Sequence, residues 1–186
     1  MLLIRTKSRA FLLGALAVAL ATQPALAQFS DSYNFLKAVD DRDGAEAEKY
    51  ISEPGSVIIN TKRDGTGETA LHLVVARKDD TWLGYLLQKG ANPNLADRKG
   101  VSPLMLATQL GFTEGVLRLL KYKASVDATN RSGETALIRA VQLRQPELVR
   151  ILLKAGANPN KRDSVAGLSA REYVAQDGRN SGILAI

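Results

Sequence analysis

The 186-residue chain has no cysteine, which excludes disulfides, thiol catalysis, thiolate metal sites and lipid attachment at cysteine. It has a single histidine, His72, so any histidine-dependent triad or metal cluster would have to be built on that residue. Long apolar runs are missing as well. The segment AFLLGALAVALA, Ala10 to Ala21, covers only 12 residues, against about 20 for a bilayer-spanning helix. It follows Arg5, Lys7 and Arg9 and is broken by Pro24 before Ala25-Leu26-Ala27. A basic start, a short apolar core and a small-x-small site predict a signal peptide over residues 1–27, cleaved before Gln28. An uncleaved anchor is the alternative. The expected location is the bacterial periplasm or the exterior, with the membrane involved only through the export signal.

Without Arg5, Lys7 and Arg9 the formal charge falls from +6 to +3. Charge is uneven along the remainder. Gln28 to Ser56 carries seven acidic and three basic residues, and the chain beyond carries twelve acidic and nineteen basic. About 159 residues form one domain with a sizeable core.

What the chain has is a period. Gly67, Gly100 and Gly133 fall in register at 33 residues, opening GETALHLVVA, GVSPLMLATQ and GETALIRAVQ. Downstream, YLLQKGANPN, RLLKYKASVD and ILLKAGANPN occupy equivalent places. Thr69, Ser102 and Thr135 can each cap a first helix, and Pro103 suits a first helical position because it has no amide to lose. After a turn, Asp80, Thr113 and Gln145-Pro146-Glu147 open a second helix with an apolar stripe. Gly90 and Gly156 end that helix in the left-handed conformation, and Asn92 and Asn158 are held extended by the prolines behind them. The repeated Gly-Ala-Asn-Pro-Asn is thus expected to be a mechanical part that grips nothing by itself. Lys123 replaces the helix-ending glycine in the middle unit, which is expected to loosen most easily. Trp82 is expected to pack over Gly115, one period on.

These residues resemble the ankyrin repeat: G-x-T-[AP]-L-[H] opening the first helix and V-x-x-LL-x-x-GA-[ND]-x-[ND] closing the second, at a period of 33. The resemblance implies an all-α ankyrin-repeat solenoid with projecting turns. It covers three units over residues 64–163, with a capping helix pair and long connection over 28–63 and a capping partial repeat over 164–186. It also implies that His72 bonds backbone and the neighbouring turn; Met105 and Ile138 fill the equivalent packing position. No catalytic, metal or cofactor role is expected of His72.

Two other motifs invite functional readings. DDRDG, Asp40 to Gly44, fails as a calcium loop, because counting from Gly44 places Val39 and Tyr50 at the end ligand positions. GTGET, Gly65 to Thr69, lacks the remaining elements of a nucleotide loop. No metal, cofactor or nucleic acid is therefore expected, and aromatics for base stacking are absent from the turns.

The resemblance implies that a monomer binds another protein, of unknown identity, on a concave face. The changeable positions carried over are Thr66, Glu68, Ala76 and Arg77 in the first unit, and Arg98, Lys99, Val101, Gln109 and Leu110 in the second. In the third they are Arg131, Ser132, Glu134, Gln142 and Leu143. Leu110 and Leu143 are either an exposed stripe or tucked between units. Lys62, Arg63, Arg98, Lys99, Arg131, Lys161 and Arg162 either form a basic ladder for an acidic surface or simply keep the turns soluble. A holdase or stabiliser of an enzyme is the alternative function, and a small-ligand-binding protein or an enzyme the remote one.

Overall fold

A computed structural model describes residues 23–52 and 56–176 of the chain. Most of the expected signal peptide, Glu53 to Gly55 in the long connection and the end of the C-terminal cap lie outside those residues. Among the described residues there are nine α-helices and no strand. They are α1 (Gln23–Asp41), α2 (Gly44–Ile51), α3 (Ala70–Ala76), α4 (Asp80–Gln88), α5 (Pro103–Gln109), α6 (Thr113–Lys121), α7 (Ala136–Gln142), α8 (Pro146–Lys154) and α9 (Ala170–Gln176). A single 3₁₀ turn, Ile58–Asn60, leads out of the first pair. None of these helices is long and apolar enough to cross a membrane. The backbone of α1 runs through the Ala27 to Gln28 junction, with Pro24 in its first turn, where a missing amide costs nothing.

Helices of seven to nine residues are too short to be stable alone, so packing must hold them. Successive first helices α1, α3, α5, α7 and α9 pack side by side in one layer, and α4, α6 and α8 pack in sequence in the other. Leu71, Leu83, Leu86, Leu104, Leu119, Leu137, Ile138 and Leu152 lie fully buried between the layers. Each such side chain contributes about 2 kcal/mol on removal from water. Because every interface joins one unit to the next, stability is shared along the stack.

The caps follow the expected chemistry with one variation. Ser102 accepts from the Met105 amide (3.2 Å) and Thr135 from the Ile138 amide (3.2 Å). At Thr69 the His72 ring reaches back instead, its Nδ1 taking the Thr69 amide (3.1 Å). The opposite nitrogen, Nε2, therefore carries the proton and donates to the Val101 carbonyl (3.0 Å) of the next unit. His72 thus joins its own helix start to the backbone of the neighbouring turn, and burial pushes its pKa down.

Gly90 and Gly156 end their helices at φ +92°. Lys123 is forced into the same region at φ +65°, because the closing bonds are the same in all three units. The amides of Gly90, Lys123 and Gly156 donate to Leu87, Leu120 and Leu153, and those of the following alanines to Leu86, Leu119 and Leu152.

Two expectations are corrected. Trp82 does not sit over Gly115. A Cβ at Gly115 would run into the ring of Phe112, which folds back from its own unit. Trp82 leans toward the N-terminal pair, above Gly44, edge-on to Tyr85 at 5.5 Å and beneath the Arg77 guanidinium at 5.7 Å. Nor is Gly-Ala-Asn-Pro-Asn without a grip. The Asn94 side chain accepts from the Ser125 amide (2.7 Å) and donates to the Lys123 carbonyl (3.3 Å), tying the first unit to the second.

Candidate protein-binding face

The turns ahead of α3, α5, α7 and α9 stand in a row, and the backbone itself joins them. Arg98 donates its amide to the Thr66 carbonyl (2.9 Å), Arg131 to Lys99 (3.1 Å) and Ser164 to Ser132 (2.8 Å). So close an approach explains the periodic glycines. A Cβ on Gly67 would lie 2.8 Å from the Arg98 nitrogen, and one on Gly100 2.9 Å from that of Arg131. Within each turn an Asx oxygen gathers free amides: Asp97 takes those of Lys99 and Val101, and Asn130 those of Ser132 and Glu134. Asp163 takes three amides and the Tyr173 hydroxyl. Conformational freedom at the tips is therefore already spent before any partner arrives.

Side chains at the candidate positions divide into engaged and free. Thr66 donates to Glu68 (2.9 Å), which pairs with Arg63 (3.5 Å). Arg77 is turned away from the turn row: it donates to the Val39 carbonyl (2.7 Å) and pairs with Asp79, so it works as packing against α1. Val101 is half-buried, its carbonyl held by His72. Ser132 is half-buried with its carbonyl taken by Ser164. Glu134 accepts from Asn130 (2.7 Å) and faces Arg139 (3.4 Å), which donates to Gln142 (2.7 Å). Gln109 is half-buried and Ala76 exposed.

The two leucines part company. Leu110 packs against the core, whereas Leu143 is 41% exposed. The basic ladder is also divided. Lys62 and Lys161 donate to the carbonyls of Ala96 (2.6 Å) and Asp127 (2.8 Å). Arg63 and Arg162 pair with Asp40 and Glu172. Arg98, Lys99 and Arg131 are exposed, and among the described residues no such bond engages their side chains.

Two of the depressions formed by the described residues lie near the N-terminal pair. One of about 460 Å³ lies between α1 and the first turn, bordered by Tyr33, Leu36, Thr61 and Asp64. Of its other charges, Lys37 pairs with Asp41 and Arg63 with Asp40, while Lys62 donates to the Ala96 carbonyl. The other, about 560 Å³, lies between α2 and α4 beside Trp82 and Tyr85. Here Tyr85 donates to Glu48, which also binds Lys89 (2.5 Å). The bond from Lys89, then that from Tyr85, lowers the Glu48 pKa to about 2, and burial followed by the Glu48 bond raises the Tyr85 phenol to about 12. These groups are ionised and protonated respectively at neutral pH, in a fixed pair. Among the described residues no group of three or more histidines, aspartates and glutamates is arranged to hold a metal ion.

The chain belongs to the ankyrin-repeat family: the family model for three copies of the repeat matches residues 37–130 and 71–163. It is 35% identical over 113 residues to a putative ankyrin repeat-containing protein of Treponema pallidum (strain Nichols), a match covering 60% of this chain and 38% of that one. It is 33% identical over 118 residues to the human transient receptor potential cation channel subfamily A member 1, covering 62% of this chain and 10% of the channel subunit. Against the nuclear factor NF-kappa-B p105 subunit of Gallus gallus it is 36% identical over 116 residues, covering 61% and 12%. The chain thus spans between about a tenth and two fifths of the length of these curated relatives. Ankyrin repeats generally mediate protein–protein interaction, and the family is typically non-enzymatic.

Proposed function

We propose that the chain is an exported, non-enzymatic module of the bacterial periplasm that binds another protein on the face made by its turns and first helices. The observation that carries this reading is the row of amide-to-carbonyl bonds joining successive turns. A row fixed in advance presents several side chains at set spacing, so binding orders little that is not already ordered. Exposed Leu143 and the unengaged Arg98, Lys99 and Arg131 give that face apolar and cationic contacts, a mixture suited to an interaction surface. The basic start, short apolar run and small-x-small site within residues 1–27 support the location.

The test is a crosslinked pull-down of the mature chain from its native periplasm, repeated with Leu143→Asp. One defined partner should be recovered with the natural chain and depleted with the variant. Equal recovery from both would refute this face, and capture of many partly unfolded proteins would show a holdase instead. Leu110→Asp is unsuitable as a binding probe, because that side chain packs on the core.

A further inference from the structure

We propose that the turn row docks an extended acidic segment of the partner protein, with carboxylates spaced about three residues apart and Arg98, Lys99 and Arg131 as their contacts. This rests on the protein-binding reading and adds the chemistry of the partner. The cations near the outer turns are engaged: Lys62 and Lys161 on carbonyls, Arg63 and Arg162 in ion pairs. Those of the two central turns are not. The acids of these turns and the next are held by other groups. Asp97 is held by two amides, Glu134 by Asn130 and Arg139, and Asp163 is buried beneath three amides and the Tyr173 hydroxyl. Among the described residues, three cationic side chains therefore stand without an ion-pair partner on backbone that the turn-to-turn bonds hold still.

Spacing sets the shape of the occupant. Neighbouring first helices pack at about 8–10 Å, so adjacent tips repeat at about that distance. An extended chain in the polyproline II form advances about 3.1 Å per residue with about three residues per turn. Laid along the row, it brings every third side chain, all on one face, to a new tip. Val165, 81% exposed on the next turn, offers an apolar contact at the C-terminal end of the row. No aromatic side chain stands on these tips to stack a base, which disfavours single-stranded nucleic acid. A single line of charges at repeat spacing matches one extended acidic segment better than a lipid surface, which is drawn to a broad basic patch and not to a row.

The mature chain is titrated against a fluorescein-labelled peptide of about 12 residues carrying glutamate at every third position between glycine and serine. A second peptide has the same composition with its glutamates clustered at one end. Fluorescence polarisation should show the spaced peptide binding about threefold or more tightly than the clustered one. Its affinity should fall as ionic strength rises. Arg98→Glu/Lys99→Glu/Arg131→Glu should weaken it about tenfold or more, from three exposed pairs lost. Lys78→Glu/Lys121→Glu/Lys154→Glu, at the same net charge, should weaken it far less. Equal losses in the two triple variants, no preference for spacing, or no salt dependence would overturn the proposal. So would retention on phosphatidylglycerol vesicles or oligo(dT) in place of the peptide. The salt and spacing arms need no variant, so a misfolded triple variant leaves the test decisive. A pull-down partner that is lost with Leu143→Asp yet kept by the Arg98, Lys99 and Arg131 variant would overturn the acidic segment while leaving the protein-binding reading intact.

Discussion

Lys123→Gly should stabilise the protein, while the same substitution two residues earlier, Lys121→Gly, should destabilise it. Lys123 holds φ +65° with its side chain exposed. Its amide is committed to Leu120 (3.0 Å), and the next amide, of Ala124, to Leu119 (3.0 Å). Those bonds require the left-handed conformation, as the same bonds do at Gly90 and Gly156. A residue with a Cβ pays about 1–2 kcal/mol to adopt it. The greater freedom of glycine in the unfolded chain takes back about 0.4–1 kcal/mol. The net gain is then about 1 kcal/mol, or about 3 °C in Tm for a domain of this size. Lys121 is the exposed last residue of α6, where helical φ favours no glycine and the change should cost about 0.5–1 kcal/mol. Scanning calorimetry reads both signs, and amide exchange at Ala124 should slow in Lys123→Gly. A Lys123→Gly protein that melts at or below the natural temperature, or two variants that shift the same way, would refute the reasoning.

Burial lowers the His72 pKa below its ordinary value, so below pH of about 6.5 the unfolded chain binds more protons than the folded one and stability falls as the pH drops. Urea midpoints should show this loss, and His72→Met, which places there the residue found at the equivalent Met105, should flatten it; an unchanged slope would count against the assignment. Asn94→Ala removes two bonds to the second unit and should cost about 1 kcal/mol or more. Asn160→Ala, in the second copy of the same pentapeptide, touches only Arg171 and its own turn and should shift stability by no more than about 0.5 kcal/mol; equal effects in thermal melts would show that the tie to the next unit is not what Asn94 contributes.

The period made most of the fold legible. Threonine or serine before each first helix, glycine after two of the second helices and the apolar stripes between them are local signals, and the helices form where those signals stand. Orientation between units was not legible, because equivalence in register does not say toward which neighbour a side chain leans. Trp82 could have faced α6 or α2. It faces α2 because Phe112 already fills the space at Gly115. A signal existed: Phe112 stands where the other second helices open after Asp79 and Gln145, and an aromatic there has to fold onto its own helix. The left-handed turns at Arg42, Lys78 and Arg144 were likewise missed, although Gly111 occupies the matching place in the second unit and takes the same conformation. On the candidate face, sequence located the turn tips but could not sort their cations, since whether an arginine is spent depends on carbonyls and acids brought from adjacent turns.

The irregularities gather in the middle unit, and its neighbour answers them. This unit lacks the helix-ending glycine, and its α6 follows Phe112 with no side chain to cap it, as α8 follows Gln145. Its Ser125 amide is held by Asn94 of the preceding unit, as that of Asn92 is by Asn60 and that of Asn158 by Asp127, and Asn94 alone of the three also donates to a carbonyl there, that of Lys123. Arg118 of α6 reaches over Gly84 to bind Asp80 with two nitrogens. Losses within the unit are thus offset at its interface, as the nearest-neighbour physics of a stacked repeat allows. The same unit carries Arg98 and Lys99, two of the contacts proposed above, so those side chains stand on a tip whose backbone is held from the preceding unit.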